Sequence, residues 1–196
     1  MRSHPNDPYA LPLEANAIDI AEHRATFLTG RVLLAWSRLE ESILSGLGHA
    51  TMSDAINSGQ FPWRETEKGR FRDLLNRWIQ GHLPHPPYSK SEPNLLRAEV
   101  MHLYDVRNNL AHNVGAIFPG KEGFRLSIRL TDDARKRLVA QTPNKPPPPS
   151  AFFPIYTQAT LLETIERLEA THLQISKLQS ERYGRDLEKR PWRGPA

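Results

Sequence analysis

Cysteine is absent from this 196-residue chain, which excludes disulfides and every zinc site built on thiolates. No apolar run approaches the roughly 20 residues needed to cross a bilayer, so no membrane span is expected. The opening stretch MRSHPNDPYALPLEANAID holds prolines and acids where a secretion signal needs an apolar run, so the expected location is cytoplasmic. Neither sign of charge dominates: 26 basic residues face 22 acidic ones, a formal net charge of +4. That excess permits contact with a polyanion but falls short of the clustered charge of a dedicated nucleic-acid binder. There is no glycine-rich phosphate loop, no Gly-x-Ser-x-Gly elbow and no cofactor fingerprint. No cofactor is therefore expected. Hydrophobic residues at 38% and charged residues at 24% describe an ordinary globular chain, long enough for one good core.

Periodicity predicts a mainly α fold. Residues 1–17, with Pro5, Pro8 and Pro12, read as an extended arm. From Ile18 to Leu47, apolar Leu28, Val32, Ala35, Leu39, Ile43 and Leu47 recur at steps of three and four, the mark of one buried helix face. Leu33, Trp36 and Leu44 widen that stripe. Gly46 and Gly48 mark its end, and Gly30 is a point for a bend or a close neighbour. Phe61-Pro62-Trp63 falls in a loop before a second helix over Thr66–Ile79, with Phe71, Leu74, Leu75 and Trp78 inward. Pro84, Pro86 and Pro87 make Gly81 to Ser91 a loop. Ser91 and Pro93 then suit the start of a third helix running to about His112, its buried stripe formed by Leu96, Val100, Leu103, Val106 or Arg107, Leu110 and Val114.

After His112 the period changes to two. Residues 114–131 read as a β-hairpin turning at Pro119 to Gly123, with Phe124, Leu126, Ile128 and Leu130 alternating on one face. Thr131-Asp132-Asp133 announces a short basic helix to Val139. A stiff proline-rich linker over 143–150 follows, then a last helix over Tyr156–Arg182 with Leu161, Ile165, Leu168 and Ile175 inward. His172 occupies the next core position, and Leu173 is the residue expected to fill it. The charged tail 184–196 reads as flexible.

The segment with most chemical content is Asp105-Val106-Arg107-Asn108-Asn109-Leu110-Ala111-His112-Asn113. A guanidinium that is always charged and an imidazole that moves a proton near neutrality form a minimal kit for phosphate esters. Arg107 and His112 lie about 140° apart on an ideal helix. Either a distorted last turn near Gly115 or a second copy of the motif across a dimer axis is needed to bring them to one phosphate.

The wording Arg107-Asn108-Asn109-Leu110-Ala111-His112 resembles the Arg-x4-His signature of the HEPN superfamily, small all-α domains that include metal-independent RNA-cleaving toxins and defence proteins. Gly30-Arg31-Val32-Leu33-Leu34-Ala35-Trp36-Ser37-Arg38-Leu39-Glu40 looks like the first core helix of bacterial HEPN-like proteins. The resemblance covers about 18–115 and the final helix, leaving hairpin and linker as insertions. It implies a HEPN-like bundle of four to five helices over 18–183, with a small β-hairpin after the motif helix. It further implies a homodimer acting on RNA, in a toxin–antitoxin or antiphage setting where a nucleotidyltransferase can be the antitoxin. Arg107 and His112 would be catalytic, Asn108 would bind substrate, and no metal would take part. The first alternative is a HEPN-like dimer that binds RNA, nucleotide or protein without cleaving it, and the second is a helical bundle with neither role.

Other candidates carry less. His82-x2-His85 sits among prolines without neighbouring carboxylates. His102 and Tyr104 fit either a core polar role or the wall of a cleft. Glu40 and Glu41 suit a solvated face, or one of them orients Arg107. The Arg135-Lys136-Arg137 cluster reads as a solvated face or an RNA guide, and Trp36, Trp63 and Trp78 as packing.

Overall fold

The computed structural model describes residues 16–48, 67–83, 91–140 and 147–188. The expected N-terminal arm up to residue 15, the Phe61-Pro62-Trp63 loop, Pro84, His85, Pro86 and Pro87, linker residues 143–146 and the tail beyond Glu188 lie outside them. Among the described residues the chain is mainly α, with five α-helices and one three-stranded antiparallel sheet. The helices are α1 (Ala17–Gly46), α2 (Glu67–His82), α3 (Glu92–His112), α4 (Asp132–Ala140) and α5 (Gln158–Glu188). Strands β1 (Val114–Gly120) and β2 (Gly123–Arg129) stand between α3 and α4. A 3-10 turn (Pro149–Phe152) and β3 (Ile155–Thr157) precede α5. No helix of the described residues is long and apolar enough to cross a membrane.

Helix starts follow from local capping. The Asn16 side chain accepts hydrogen bonds from the amides of Ile18 and Asp19, at 2.8 and 3.1 Å, and Asp19 reaches back to the Asn16 amide. This reciprocal box satisfies donors that a helix leaves open at its N-terminus. Thr157 and Thr160 do the same for α5: the Thr160 amide donates to Thr157 Oγ1, and the Thr157 amide to Thr160 Oγ1 at 2.7 Å.

Residues Met1–Leu34 with Asp105–Glu166 make one compact unit, and Ala35–Tyr104 with Arg167–Ala196 a second. In the second, Trp36, Phe71 and Tyr104 form a buried aromatic cluster, Phe71 stacked on Tyr104 at 4.8 Å and Trp36 edge-on to Tyr104 at 5.6 Å. Leu39, Ile43, Leu74, Leu75, Leu103, Leu168 and Ile175 are among the other buried residues of this unit. Arg167 grips Glu99 through two hydrogen bonds, 2.8 and 2.6 Å. That bond and the guanidinium charge hold the Glu99 carboxyl below the usual carboxylate range against partial burial.

In the first unit, Ala21, Ala25, Leu28 and Val32 of α1, Val106 and Leu110 of α3, and Leu161 and Ile165 of α5 are buried. So are Phe124, Leu126, Ile128 and Leu130, on one face of β2 and just beyond it. The hairpin pairs Val114 with Arg129 through Gly120 with Gly123, so Pro119 and Gly120 belong to β1. The turn is the two residues Lys121 and Glu122. Pro119 is tolerated near the end of an edge strand, which has no partner on its outer side among the described residues, and Gly123, just after the turn, has a positive φ of +114°, a conformation open to glycine.

Four expectations are corrected. The sheet has a third strand, and Tyr156 belongs to it rather than to α5. Thr171, not Leu173, continues the α5 core stripe: the steps 168–171–175–178 keep one face inward, leaving Leu173 68% exposed. Val114 opens β1 rather than ending the α3 stripe; of the two residues left open there, Val106 is the buried one and Arg107 is half-buried. Helix α1 runs unbroken through Gly30, where a Cβ would meet nothing within 4 Å.

Candidate active site

The last turn of α3 ends at His112, and Asn113 closes it. The Asn113 amide donates to the Asn109 carbonyl at 3.1 Å and lies 3.5 Å from that of Asn108. A helix leaves its last carbonyls without partners, and this side chain satisfies them. The other end of the same amide accepts from the Thr131 backbone N–H at 2.9 Å, just before α4. One side chain thus clamps the motif helix to a segment 18 positions further on.

A second tie reaches the same turn. Asn109 Nδ2 donates to the Tyr156 hydroxyl at 3.0 Å. Burial pushes the Tyr156 phenol above its usual range, Asn109 opposes that by hydrogen bonding, and the charge of Asp105 adds to it. Tyr156 pairs with Leu126 in the sheet register, so β3 fixes the helix end from the opposite side of the sequence.

Between these ties the three motif residues meet. Arg107 Nη1 donates to Asn108 Oδ1 at 2.7 Å and lies 3.2 Å from His112 Nε2. The 140° divergence expected from backbone geometry is bridged within one chain, because the long arginine side chain reaches along the helix past one turn. A guanidinium only donates, so in this contact Nε2 is the acceptor and the ring proton sits on Nδ1. Both Nη1 protons are thereby engaged. Nε and Nη2, the edge of the fork that matches two oxygens of a phosphate, have no partner among the described residues. His112 is exposed and Arg107 half-buried. The helix end contributes partial negative charge here, so any attraction for phosphate comes from the side chains.

The remaining candidates separate from this site. Tyr104 belongs to the aromatic core of the second unit, while His102 is exposed. Glu41 is exposed and Glu40 half-buried; the side chain seen holding Arg107 is its neighbour Asn108. His82 is buried, stacked on Trp78 at 4.3 Å, with Nδ1 2.9 Å from the Trp78 carbonyl. It helps line a cavity of about 550 Å³ with Ser45, Gln179 and Arg182. Arg135 pairs with Asp132 at 3.9 Å and lies 4.9 Å from the centre of the Phe152 ring. Lys136 is exposed, and the Arg137 side chain is outside the described set.

Sequence reasoning assigned no role to Asn109, Asn113 or Tyr156. An asparagine just past a helix is a recognisable C-terminal cap, so Asn113 had a local signal. Tyr156, 47 positions from Asn109, had none.

No family model, characterised protein or solved structure matches the chain.

Proposed function

We propose that the end of α3 is the active site of a HEPN-like, metal-independent endoribonuclease that works as a homodimer. The observation that carries this reading is the arrangement of Arg107: one nitrogen holds Asn108 and His112, while the Nε and Nη2 edge is left for a phosphate. The resemblance of the Arg107-to-His112 segment to the HEPN signature supports it.

In the proposed reaction the ribose 2′-hydroxyl attacks the adjacent phosphorus. His112 Nε2, released when Arg107 Nη1 turns from it to the phosphate, takes the hydroxyl proton. Arg107 neutralises charge growing on the non-bridging oxygens, an effect of about 2.7–4 kcal/mol for one well-placed donor. Asn108 sets the guanidinium and, once phosphate draws Arg107 away, can bond ribose. The bond from phosphorus to the 5′-oxygen breaks, leaving a 2′,3′-cyclic phosphate and a 5′-hydroxyl. That oxygen needs a proton, and a histidine acting as base cannot also be the acid in one in-line step. His112 of a second copy supplies it across a two-fold axis, each histidine contributing roughly 10²- to 10⁴-fold.

The biological setting that fits is cytoplasmic, a toxin–antitoxin pair or antiphage defence, with a nucleotidyltransferase as one form of antitoxin. The deciding experiment is an RNA digest with purified protein in excess EDTA. The expected products carry 2′,3′-cyclic phosphate ends, and DNA and 2′-O-methylated RNA resist. A strict magnesium requirement, or cutting of DNA, defeats the mechanism. Intact RNA bound tightly by the wild-type protein points instead to a non-catalytic binding scaffold.

A further inference from the structure

Register sorts the sheet into two faces. Phe124, Leu126 and Ile128 are buried, so the alternate positions of β2, Arg125, Ser127 and Arg129, lie on the opposite face. Phe118 of β1 stands across from Arg125, Ala116 across from Ser127, and Val114 across from Arg129. On the other flank, Thr157 pairs with Arg125 and Ile155 with Ser127. None of these positions is acidic; Glu122 stands beyond them in the turn, beside Lys121. Phe118 is 53% and Ile155 60% exposed, and both arginines are exposed. Neither Arg125 nor Arg129 has a side-chain partner among the described residues.

A solvated sheet face usually mixes both signs of charge with small polar residues. This one instead sets an open aromatic ring directly opposite an unpartnered guanidinium, with Cβ atoms about 4.5–5.5 Å apart. A second guanidinium lies about 13 Å further along β2. Aromatic platforms beside cations hold single-stranded nucleic acid, since every base has a face to stack and every nucleotide a phosphate. Sheets that read RNA place their stacking rings on a solvated face in this way. The face also begins at the motif: β1 opens two residues after His112, and Arg129 pairs with its first residue.

We infer that the outward face of the sheet, with Phe118, Arg125, Arg129 and Ile155, is the track for a single-stranded stretch of RNA running to the α3 site. This rests on the reading of that site as one acting on RNA. Phe118 stacks a base, Arg125 and Arg129 neutralise phosphates, and Ile155 gives an apolar floor. A duplex, whose base faces are already stacked, has nothing to offer Phe118.

The test is fluorescence anisotropy of the full chain with a labelled single-stranded RNA of about 12 nucleotides. Every 2′-oxygen of the probe is methylated so that it cannot be cut by 2′-hydroxyl attack. The double variant Arg125→Ala/Arg129→Ala should weaken binding about tenfold or more. It should also flatten the plot of log affinity against log salt by about 1.4, the contribution of two phosphates on a single strand. Phe118→Ala should weaken it roughly 5- to 150-fold. Arg125→Lys/Arg129→Lys should keep the salt slope. Thermal melts check that these outward substitutions leave the fold intact.

Unchanged affinity and slope in the alanine variants, or equal affinity for a duplex of the same sequence, overturns the inference. So does loss of self-association without loss of RNA affinity, which assigns the face to protein. The nuclease reading stands or falls apart from this. RNA held on the face but never cut upholds the track and removes the nuclease. Cleavage that needs His112 yet ignores Phe118, Arg125 and Arg129 keeps the nuclease and removes the track.

Discussion

Replacing Asn113 by alanine tests whether the candidate site is held in place from outside its own helix. The substitution removes the donor to the Asn109 carbonyl and the acceptor for the Thr131 amide. Each bond contributes about 0.5–1.5 kcal/mol net, so the pair is worth about 2 kcal/mol. For a chain of this size that is a fall in Tm of about 4–8 °C. Asn113→Asp sharpens the test. The carboxylate still accepts from Thr131 but cannot donate to Asn109, and it sets negative charge at the negative end of the α3 dipole, costing about 0.3–1 kcal/mol more. Aspartate should therefore rescue little or nothing relative to alanine. The readouts are a calorimetric or circular-dichroism melt and, under the proposed function, the cleavage rate below the melting transition. That rate should drop because His112, the residue just before Asn113, loses its fixed position. A Tm within 1 °C of wild type for alanine, or full rescue by aspartate, refutes the clamp.

Four further outcomes are expected. His112→Ala should abolish cleavage with stability changed by less than about 0.5 kcal/mol, as for an exposed side chain; a variant that still cuts RNA at the wild-type rate removes His112 from the chemistry. Arg107→Lys should lose cleavage too, because an ammonium keeps the charge but not the planar fork, and wild-type turnover by the lysine variant would count against the phosphate role of the Nε and Nη2 edge. Glu99, its carboxyl lowered by Arg167, contributes stability that is fully present above the unfolded glutamate pKa and is lost as pH falls through the lower folded value. Glu99→Gln should thus cost up to about 1 kcal/mol at pH 7, as for a half-exposed pair, and the gap to wild type in urea titrations should begin to shrink below the unfolded glutamate pKa of about 4.3 and vanish in stronger acid; a gap that persists there contradicts the assignment. Gly115→Ala would set a Cβ 2.7 Å from Leu126 Cδ1 and 3.0 Å from Ile128 Cδ1, an overpacking worth about 1–3 kcal/mol and visible as a lowered urea midpoint.

Much of this fold was legible in the chain because its signals are local. The stripe Leu28, Val32, Ala35, Leu39, Ile43 sets one face of α1 by its spacing alone, and strict alternation over Phe124 to Leu130 places β2 and its buried side. Spacing also put Arg107, Asn108 and His112 together at a helix end. What those three do to one another was decided by tertiary structure. Helical angle alone separates Arg107 from His112; their contact depends on how an arginine reaches along a turn whose last carbonyls are capped by Asn113. That cap is in turn fixed by Thr131 on a later segment. Strand β3 has three residues and no internal period to detect, so it exists through its pairing with β2, and with it comes the bond from Tyr156 to Asn109. Periodicity reports which side of an element is apolar, whereas the partner that a polar side chain meets across 47 positions is chosen only once the elements are packed.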